Sequence, residues 1–192
     1  MRPEGIQLAL RRLAEGRSLS LGEARAAFEQ IMHGEATPAQ VAALLMGLRV
    51  KGETPEEVAG VAQALRASML RIEAERPEEL VDTCGTGGGA VPTFNISTGA
   101  AFVAAGAGAR IAKHGNRSFT SRCGSADVLE ALGIPLDVSP GKLGGVLREA
   151  GIVFMFAPAM HPAMKHVGPV RRELAVQTVM NIGGPLANPA GA

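Results

Sequence analysis

Residues 81–132 read VDTCGTGGGAVPTFNISTGAAFVAAGAGARIAKHGNRSFTSRCGSADVLEAL and contain three segments suited to binding phosphate. The first, GTGGG at 85–89, follows the apolar pair Leu80-Val81, and glycines let consecutive backbone N–H groups converge on an anion. The second, NIST at 95–98, precedes a small apolar run, which is typical of a helix start, where free N–H groups attract phosphate. The third, KHGNR at 113–117, places cations beside a glycine.

Each of these segments alone is a weak signal. A glycine run is more often a turn, a Ser-Thr pair is usually only a helix cap, and a Lys-His pair is usually a solvated loop. Their succession along one stretch, with short strand and helix patterns between them, predicts a phosphorylated ligand. The stretch differs from the dinucleotide fingerprint, since no G-x-G-x-x-G opens a helix, and from a Walker A loop, since no Gly-Lys-Ser/Thr follows the glycines.

Composition narrows the class of protein. The chain has 192 residues, 46% of them hydrophobic, which suffices for one core plus a small helical subdomain. A net charge of +1 and an aromatic content of 3% argue against a dedicated nucleic-acid binder. The two cysteines, Cys84 and Cys123, lie in the ligand loops, so a disulfide framework is not expected and a reduced cytoplasmic setting is. We expect neither a signal peptide nor a membrane span.

Residues 1–76 predict helices only. Ser20, Thr37 and Thr54 stand at the expected N-caps of three of four short helices, and the last two are each followed by proline at the first helical position. Gly34 and Gly52 are placed to end two of them. Their apolar faces fit either a core of their own or a contact between two copies of the chain.

From residue 77 onwards short apolar runs alternate with helical ones, which predicts a parallel α/β sheet. We expect strands at 110–112 and 152–156 and helices at 126–132, capped by Ser125, and at 140–150. Residues 160–174 predict one helix, with Pro162 at its start and a kink at Pro169.

The motifs GTGG, TFNIST, KHGNR and GSADVLEALG, in this order and spacing, resemble anthranilate phosphoribosyltransferases. HPAM at 161–164, VRREL at 170–174 and NIGGPLANP at 181–189 extend the resemblance, and residues 40–60 resemble the N-terminal helical domain of the wider nucleoside phosphorylase and phosphoribosyltransferase superfamily. It implies a fold of the α/β class: a small all-α N-terminal domain at 1–76, and at 77–192 a parallel-rich α/β domain that binds 5-phosphoribosyl diphosphate. It also implies that residues 160–185 pack back on the helical domain.

The resemblance further implies an enzyme of tryptophan biosynthesis. Such an enzyme transfers the phosphoribosyl group of 5-phosphoribosyl diphosphate to the amine of anthranilate, and releases pyrophosphate. The implied cofactor is Mg²⁺, the implied partners are these two small molecules and a second copy of the chain, and the implied location is the cytoplasm. Neither nucleic acid nor membrane is an expected partner.

Matching positions imply the site residues. Catalytic roles fall on His114, Asn116 and Arg171, with His114 either a base or a hydrogen-bonding group, and a Mg²⁺ ligand role falls on Ser97. The anthranilate contacts are Gly85, Asn116, His161, Arg171, Gly184 and Pro185. The contacts to 5-phosphoribosyl diphosphate are Gly85, Gly88, Gly89, Thr93, Asn95, Ile96, Ser97, Thr98, Lys113, His114, Gly115, Asn116, Arg117, Ser118, Phe119, Thr120, Ser121 and Ser125. His33 and His166 are expected to be structural.

The match departs from the family pattern in three places. Gly89 stands where most members carry Asp, which removes a carboxylate near the metal and the diphosphate. AVQT at 175–178 replaces a pattern that contains an arginine. Family members are also longer, so the sheet is expected to be truncated and incomplete at its C-terminus, without the Asp-Glu pair that binds Mg²⁺. The 192-residue chain alone is therefore not expected to turn over at a normal rate.

Two other functions share parts of the pattern. A pyrimidine nucleoside phosphorylase has a related fold and glycine loop, but would lack KHGNR followed by HPAM and GPLxNP. A non-catalytic fragment, or a paralogue of the same fold that binds nucleic acid, is the other alternative. A nucleic-acid-binding paralogue would be expected to show a basic surplus and to lose Asn116 and Arg171, whereas both residues are present.

Overall fold

The structure, a computed structural model, describes residues 5–86, 94–118 and 123–192. The chain divides into two compact units. We call them the helical unit, Met1–Met69 with Pro162–Ala187, and the α/β unit, Leu70–His161 with Asn188–Ala192.

Three helices near the start of the chain begin where the sequence predicts, and two of them end where it predicts. Ser20, Thr37 and Thr54 each accept a hydrogen bond from the backbone N–H three residues later, and a Glu or Gln side chain returns the bond to complete a capping box. Gly34 ends the second helix in the left-handed conformation, at φ 78°, which glycine adopts without strain. The bounds are α1 Ile6–Ala14, α2 Leu21–His33, α3 Pro38–Lys51 and α4 Pro55–Ser68.

The helical unit has one apolar core. Phe28, Leu44 and Leu48 are completely buried in it, and side chains from near the C-terminus of the chain belong to the same cluster. That later segment comprises a 3₁₀ helix, Pro162–His166, and two short helices, α9 Gly168–Leu174 and α10 Val179–Gly183. Its buried members in this core are Val167, Val170, Val179, Met180 and Ala187.

The single kinked helix predicted for residues 160–174 is wrong. The chain forms α8 at Ala157–Met160, the 3₁₀ helix Pro162–His166 and then α9. Proline has no N–H, so it suits the first turn of a helix and disrupts a helix interior. Pro162 therefore opens the 3₁₀ helix, and Pro169 lies in the first turn of α9 instead of producing a kink.

The α/β unit is built on a three-stranded parallel sheet in the order β1-β2-β3. Leu80 of β1 pairs with Arg110 of β2, and residues 111–115 of β2 pair with residues 152–156 of β3. The strands are β1 Leu80–Val81, β2 Arg110–Gly115 and β3 Ile152–Phe156, and the helices are α5 Ile96–Gly106, α6 Ser125–Ala131 and α7 Pro140–Ala150, with a 3₁₀ turn at Pro77–Glu79. A helical N-terminal part followed by a parallel α/β part confirms the predicted fold class.

Two helix starts differ from the prediction. Helix α5 begins at Ile96, so Ser97 and Thr98 lie inside its first turn and do not precede it. Helix α6 begins at Ser125 itself, and its first turn is held by Asp127, whose carboxylate accepts the N–H of Gly124 at 2.7 Å. In the part of the chain that is described, no helix has the length and apolarity to cross a bilayer.

Candidate functional site

Lys113 supplies a buried positive charge near the end of the central strand. Strand β2 continues three residues beyond the predicted 110–112 and so includes Lys113, whose exposure is only 4%. Its Nζ donates to Oγ1 of Thr83 at 3.2 Å, and that hydroxyl donates in turn to the carbonyl oxygen of Ser97 in α5 at 2.8 Å. The ammonium, the loop after β1 and the first turn of α5 are therefore connected by hydrogen bonds.

The loop after β1 carries the charges that act on Lys113. Burial lowers the pKa of Lys113, and the negative charge of Asp82 acts in the opposite direction. Burial, with Asp82 as the next cause, raises the pKa of the neighbouring Cys84 thiol to about 12. Cys84 is therefore a neutral thiol at physiological pH, which disfavours a nucleophilic role.

The first turn of α5 is the second part of the predicted phosphate site. Ser97 is exposed, whereas Thr98 is buried at 3% exposure and its N–H donates to the carbonyl of Asn95. The amide of Asn95 donates to the carbonyl of Cys123 at 3.2 Å and so ties the start of α5 to the segment before α6. A helix start with an exposed serine in its first turn is suited to holding an anion, because the helix dipole favours negative charge there.

The KHGNR segment continues from β2 into a loop that packs against α6. Oγ of Ser125 donates to the carbonyl of Asn116 at 3.3 Å. A Cβ on Gly124 would lie 2.7 Å from that same carbonyl oxygen, so only glycine fits there. A Cβ on Gly115 would clash with Oγ of Ser125 and with the ring of Phe154. Glycine at both positions lets the loop approach the start of α6.

Arg117 is held by acidic side chains in this structure. Its guanidinium pairs with Asp127 at 2.9 Å and with Glu130 at 2.7 Å, both on α6, and lies 5.9 Å from the ring centre of Phe156. The N–H of Ser118 also donates to Asp127. As placed here, Arg117 fixes the loop to α6, and a contact from it to phosphate stays a prediction.

The two histidines predicted near the second substrate lie together in the α/β unit. His114 and His161 are buried, with exposures of 6% and 7%, and their ring centres are 4.9 Å apart at a tilt of 41°. Gly85 lies in the loop after β1 with open space where a Cβ would be. His33 and His166 belong to the helical unit, where the ring of His166 packs against Gly34.

The predicted carboxylate contact, Arg171, lies in the helical unit. Its guanidinium donates to Oδ1 of Asn181 at 3.3 Å, and that oxygen also accepts the N–H of Thr178. No carboxylate among the described residues pairs with Arg171, and burial lowers its pKa. Gly184 and Pro185 follow α10 in the same unit. The remaining predicted contacts, Gly88, Gly89, Thr93, Phe119, Thr120 and Ser121, lie outside the described residues.

Three residues of the site were not singled out from the sequence. Thr83 joins Lys113 to α5, and Asp82 accepts the N–H groups of Cys84 and His114. Asn188 donates to Asp82. The available signal was the polar pair Asp-Thr directly after an apolar strand, since residues that follow parallel strands meet at the carboxyl edge of a sheet.

The described residues provide few side-chain ligands for a metal ion. Among the described residues, no group of three or more His, Cys, Asp or Glu side chains is arranged to hold one. Mg²⁺ commonly keeps several waters and binds through substrate phosphates with only one or two protein ligands. The exposed hydroxyl of Ser97 in the first turn of α5 fits that mode of binding.

Comparison with known proteins establishes the family. A profile described as "Glycosyl transferase family, a/b domain" matches residues 77–192, more than half of the chain. The chain belongs to this glycosyl transferase family. The helical bundle domain of the same glycosyl transferases matches residues 7–69.

Individual glycosyl transferases confirm the resemblance stated above. The chain is 58% identical over 187 residues to the anthranilate phosphoribosyltransferase of Symbiobacterium thermophilum. The matched region covers 97% of this chain and 54% of that protein. The structure of the Thermus thermophilus enzyme of that name matches with a TM-score of 0.90 and 46% identity, over 96% of this chain and 56% of the other. The structure of the Saccharomyces cerevisiae enzyme in complex with PRPP and Mg matches with a TM-score of 0.85 and 30% identity. That match covers 96% of this chain and 55% of the other. The chain thus spans about half the length of the relatives it matches.

Proposed function

We propose that the chain acts in the transfer of a phosphoribosyl group from 5-phosphoribosyl diphosphate to the amine of anthranilate, which gives N-(5-phosphoribosyl)anthranilate and pyrophosphate in tryptophan biosynthesis. The observation that carries the proposal is the buried ammonium of Lys113, joined through Thr83 to the first turn of α5. A cation and a helix start that converge in this way suit a diphosphate. The name shared by the relatives supports the choice of acceptor.

The proposed reaction depends mainly on positioning the two substrates and on stabilising the negative charge of the departing pyrophosphate. The anthranilate nitrogen is a weak nucleophile because its lone pair is shared with the ring, so the barrier lies mainly in the departure of pyrophosphate from an oxocarbenium-like ribose. The C1–O bond breaks, its electron pair leaves with pyrophosphate, the nitrogen forms the new bond to C1, and the nitrogen then loses a proton. Lys113 and the positive end of the α5 dipole would stabilise the charge on the departing diphosphate.

We assign recognition of the anthranilate carboxylate to Arg171. The support is its environment: a half-buried guanidinium whose hydrogen bond goes to the neutral amide of Asn181. An arginine without a carboxylate partner retains its fork of donors for a planar anion. His114, as a base or a hydrogen-bonding group, His161 and Asn116 complete the proposed contacts to this substrate.

Mg²⁺ is the proposed cofactor. The yeast relative whose structure holds PRPP and Mg supports it. Ser97 would be its protein ligand in this part of the chain, with the diphosphate and water supplying the other oxygens. When bound, the ion would neutralise charge on the diphosphate.

We further propose that the protein is cytoplasmic and forms a homodimer through the helical unit. Neither Cys84 nor Cys123 forms a disulfide, which suits a reducing compartment. The helical unit exposes Val50 at 81% and Val176 at 47%, and exposed apolar side chains are material for an interface. Light scattering of the purified chain measures the mass in solution, and a monomer at micromolar concentration would contradict the dimer.

Pyrophosphate release tests the reaction itself. The chain is incubated with 5-phosphoribosyl diphosphate, Mg²⁺ and anthranilate, and both pyrophosphate and the phosphoribosyl product are quantified. We expect release that requires anthranilate, is lost in Lys113→Ala, and is retained in Lys142→Ala, which removes an exposed lysine of α7. Release that is equal without anthranilate, or absent from the folded chain, would contradict the proposal.

A further inference from the structure

Strand β1 is shorter than its neighbour, and this leaves backbone groups of β2 without a strand partner. The pairing of β1 with β2 stops at Val81 and Ile111, whereas β2 continues to Gly115. On the edge of β2 that faces β1, the next groups are the carbonyl of Ala112 and the N–H of His114. Buried backbone groups of this kind need partners, because an unpaired one costs about 1–3 kcal/mol.

Two side chains replace the missing part of the strand. Asp82, directly after β1, accepts the N–H of His114 at 3.2 Å through Oδ1. Asn188 donates from Nδ2 to the carbonyl of Ala112 at 2.9 Å, and also to Oδ2 of Asp82 at 2.8 Å. The two side chains thus pair with β2 and with each other.

The same two side chains hold the loop that enters the predicted phosphate site. Oδ1 of Asp82 also accepts the N–H of Cys84 at 2.9 Å, which turns the chain immediately after β1. Asn188 is completely buried, and its Oδ1 accepts the N–H of Ala190 at 2.8 Å. The loop after β1, the end of β2 and residues 188–190 are therefore joined at one point.

We propose that Asp82 and Asn188 are positioning residues for the phosphate site. They fix the loop that contains Thr83 and Gly85 against the strand that carries Lys113 and His114. The inference rests on the proposed function, because it assumes that Lys113 and this loop contact the diphosphate. The two side chains have opposite hydrogen-bonding roles: Asp82 accepts all three of its hydrogen bonds through its carboxyl oxygens, and Asn188 donates two through its amide nitrogen.

Exchanging the carboxylate of residue 82 and the amide of residue 188 distinguishes the positioning role from a general effect on folding. In Asn188→Asp, acceptors face the carboxylate of Asp82 and the carbonyl of Ala112. In Asp82→Asn, either orientation of the new amide places a donor against a donor. The double exchange, Asp82→Asn with Asn188→Asp, restores a donor and an acceptor between the side chains and leaves only the Ala112 carbonyl unpaired. Asp137→Asn is the matched control, since Asp137 is exposed in the same unit.

Amide hydrogen exchange by NMR measures the local effect. In each single variant we expect the N–H groups of Cys84 and His114 to exchange at least about tenfold faster, as loss of a hydrogen bond to a charged acceptor implies, and to recover in the double variant. The N–H of Ile111 is the internal reference, because it donates to Gly151 on the other edge of β2. Wild-type rates at Cys84 and His114, or an equal acceleration at Ile111, would overturn the inference.

Calorimetry with 5-phosphoribosyl diphosphate and Mg²⁺ measures the consequence for the site. We expect affinity to fall about tenfold or more in each single variant, to recover in part in the double variant, and to stay unchanged in Asp137→Asn. Equal affinity in the wild type and the single variants would overturn the positioning role alone. A folded wild type that does not bind would instead contradict the proposed function, while the exchange data would still report on the hydrogen bonds of Asp82 and Asn188.

Discussion

The ammonium of Lys113 lies 3.2 Å from the hydroxyl of Thr83, and that hydroxyl donates at 2.8 Å to the first turn of α5. One threonine therefore links the cation on the central strand to the helix start. A diphosphate that contacts both would meet them already in position, which lowers the cost of ordering them on binding.

Thr83→Val removes this link while it keeps the shape of the side chain. We expect the affinity for 5-phosphoribosyl diphosphate to fall about tenfold and the free energy of unfolding to fall by about 1–2 kcal/mol, because Lys113 and the Ser97 carbonyl each lose a partner. Thr83→Ser retains the hydroxyl and is expected to restore most of the affinity. Calorimetry and denaturant unfolding provide the two values, and unchanged affinity in Thr83→Val would show that the link does not matter for binding.

The lowered pKa of Lys113 predicts the pH dependence of binding. Below its pKa in the folded chain Lys113 is charged and attracts the diphosphate, and as pH rises through that value the charge and the attraction are lost. For stability the sign is opposite: between the folded and unfolded values the unfolded chain binds more protons, so stability rises with pH. Affinity measured against pH is expected to decline on the alkaline side before the usual range of a lysine.

Lys113→Arg provides the control for this decline. A guanidinium stays charged throughout the range, so the contribution of this position to the alkaline decline is expected to disappear even if overall affinity is lower. An identical decline in the wild type and the arginine variant would assign it to another group.

The sequence predicted most of the fold from local chemistry. The helix N-caps at Ser20, Thr37 and Thr54 and the glycine end at Gly34 are short-range patterns, and each was found where predicted. Helix α7 and strand β3 also have the predicted bounds. The segment around Pro162 and Pro169 was predicted wrongly, because a proline at a helix start and a proline at a kink give the same local sequence pattern.

The motifs single out candidate site residues, but they do not predict the hydrogen bonds between them. Lys113, the first turn of α5 and the loop after β2 were recognisable from motifs, whereas the bond between Asn188 and Asp82 joins residues 106 positions apart. No local pattern encodes such a contact, since it depends on the early end of β1. The ion pairs of Arg117 with Asp127 and Glu130 could not be predicted from local patterns either, because they depend on how α6 packs against the loop.

The two thiols are expected to react differently. Cys84 is half-buried and its pKa is raised to about 12, so at pH 8 its thiolate fraction is roughly a thousandfold below that of an ordinary cysteine. Cys123 is exposed. Timed alkylation with iodoacetamide, followed by peptide mass spectrometry, is expected to find Cys123 modified well before Cys84. Faster labelling of Cys84 would contradict the neutral thiol described for the loop after β1.

Gly124 is expected to tolerate no side chain. In Gly124→Ala the new Cβ would contact the backbone of Asn116 and Arg117, so the loop after β2 must shift at a cost of about 1–3 kcal/mol in stability. Gly141→Ala is the matched control, because Gly141 lies in α7 with nothing within 4 Å of the added Cβ. Denaturant unfolding compares the two variants, and equal stabilities would mean that the loop accommodates the methyl group.

The central claim, that Lys113 and the first turn of α5 form a phosphate site, is tested most directly by calorimetric titration with 5-phosphoribosyl diphosphate, with and without Mg²⁺. We expect Mg²⁺-dependent binding by the wild-type chain and by Lys142→Ala, and none that can be measured in Lys113→Ala, with all three folded. Binding that survives in Lys113→Ala at wild-type strength, or a folded wild-type chain that does not bind, would contradict the claim.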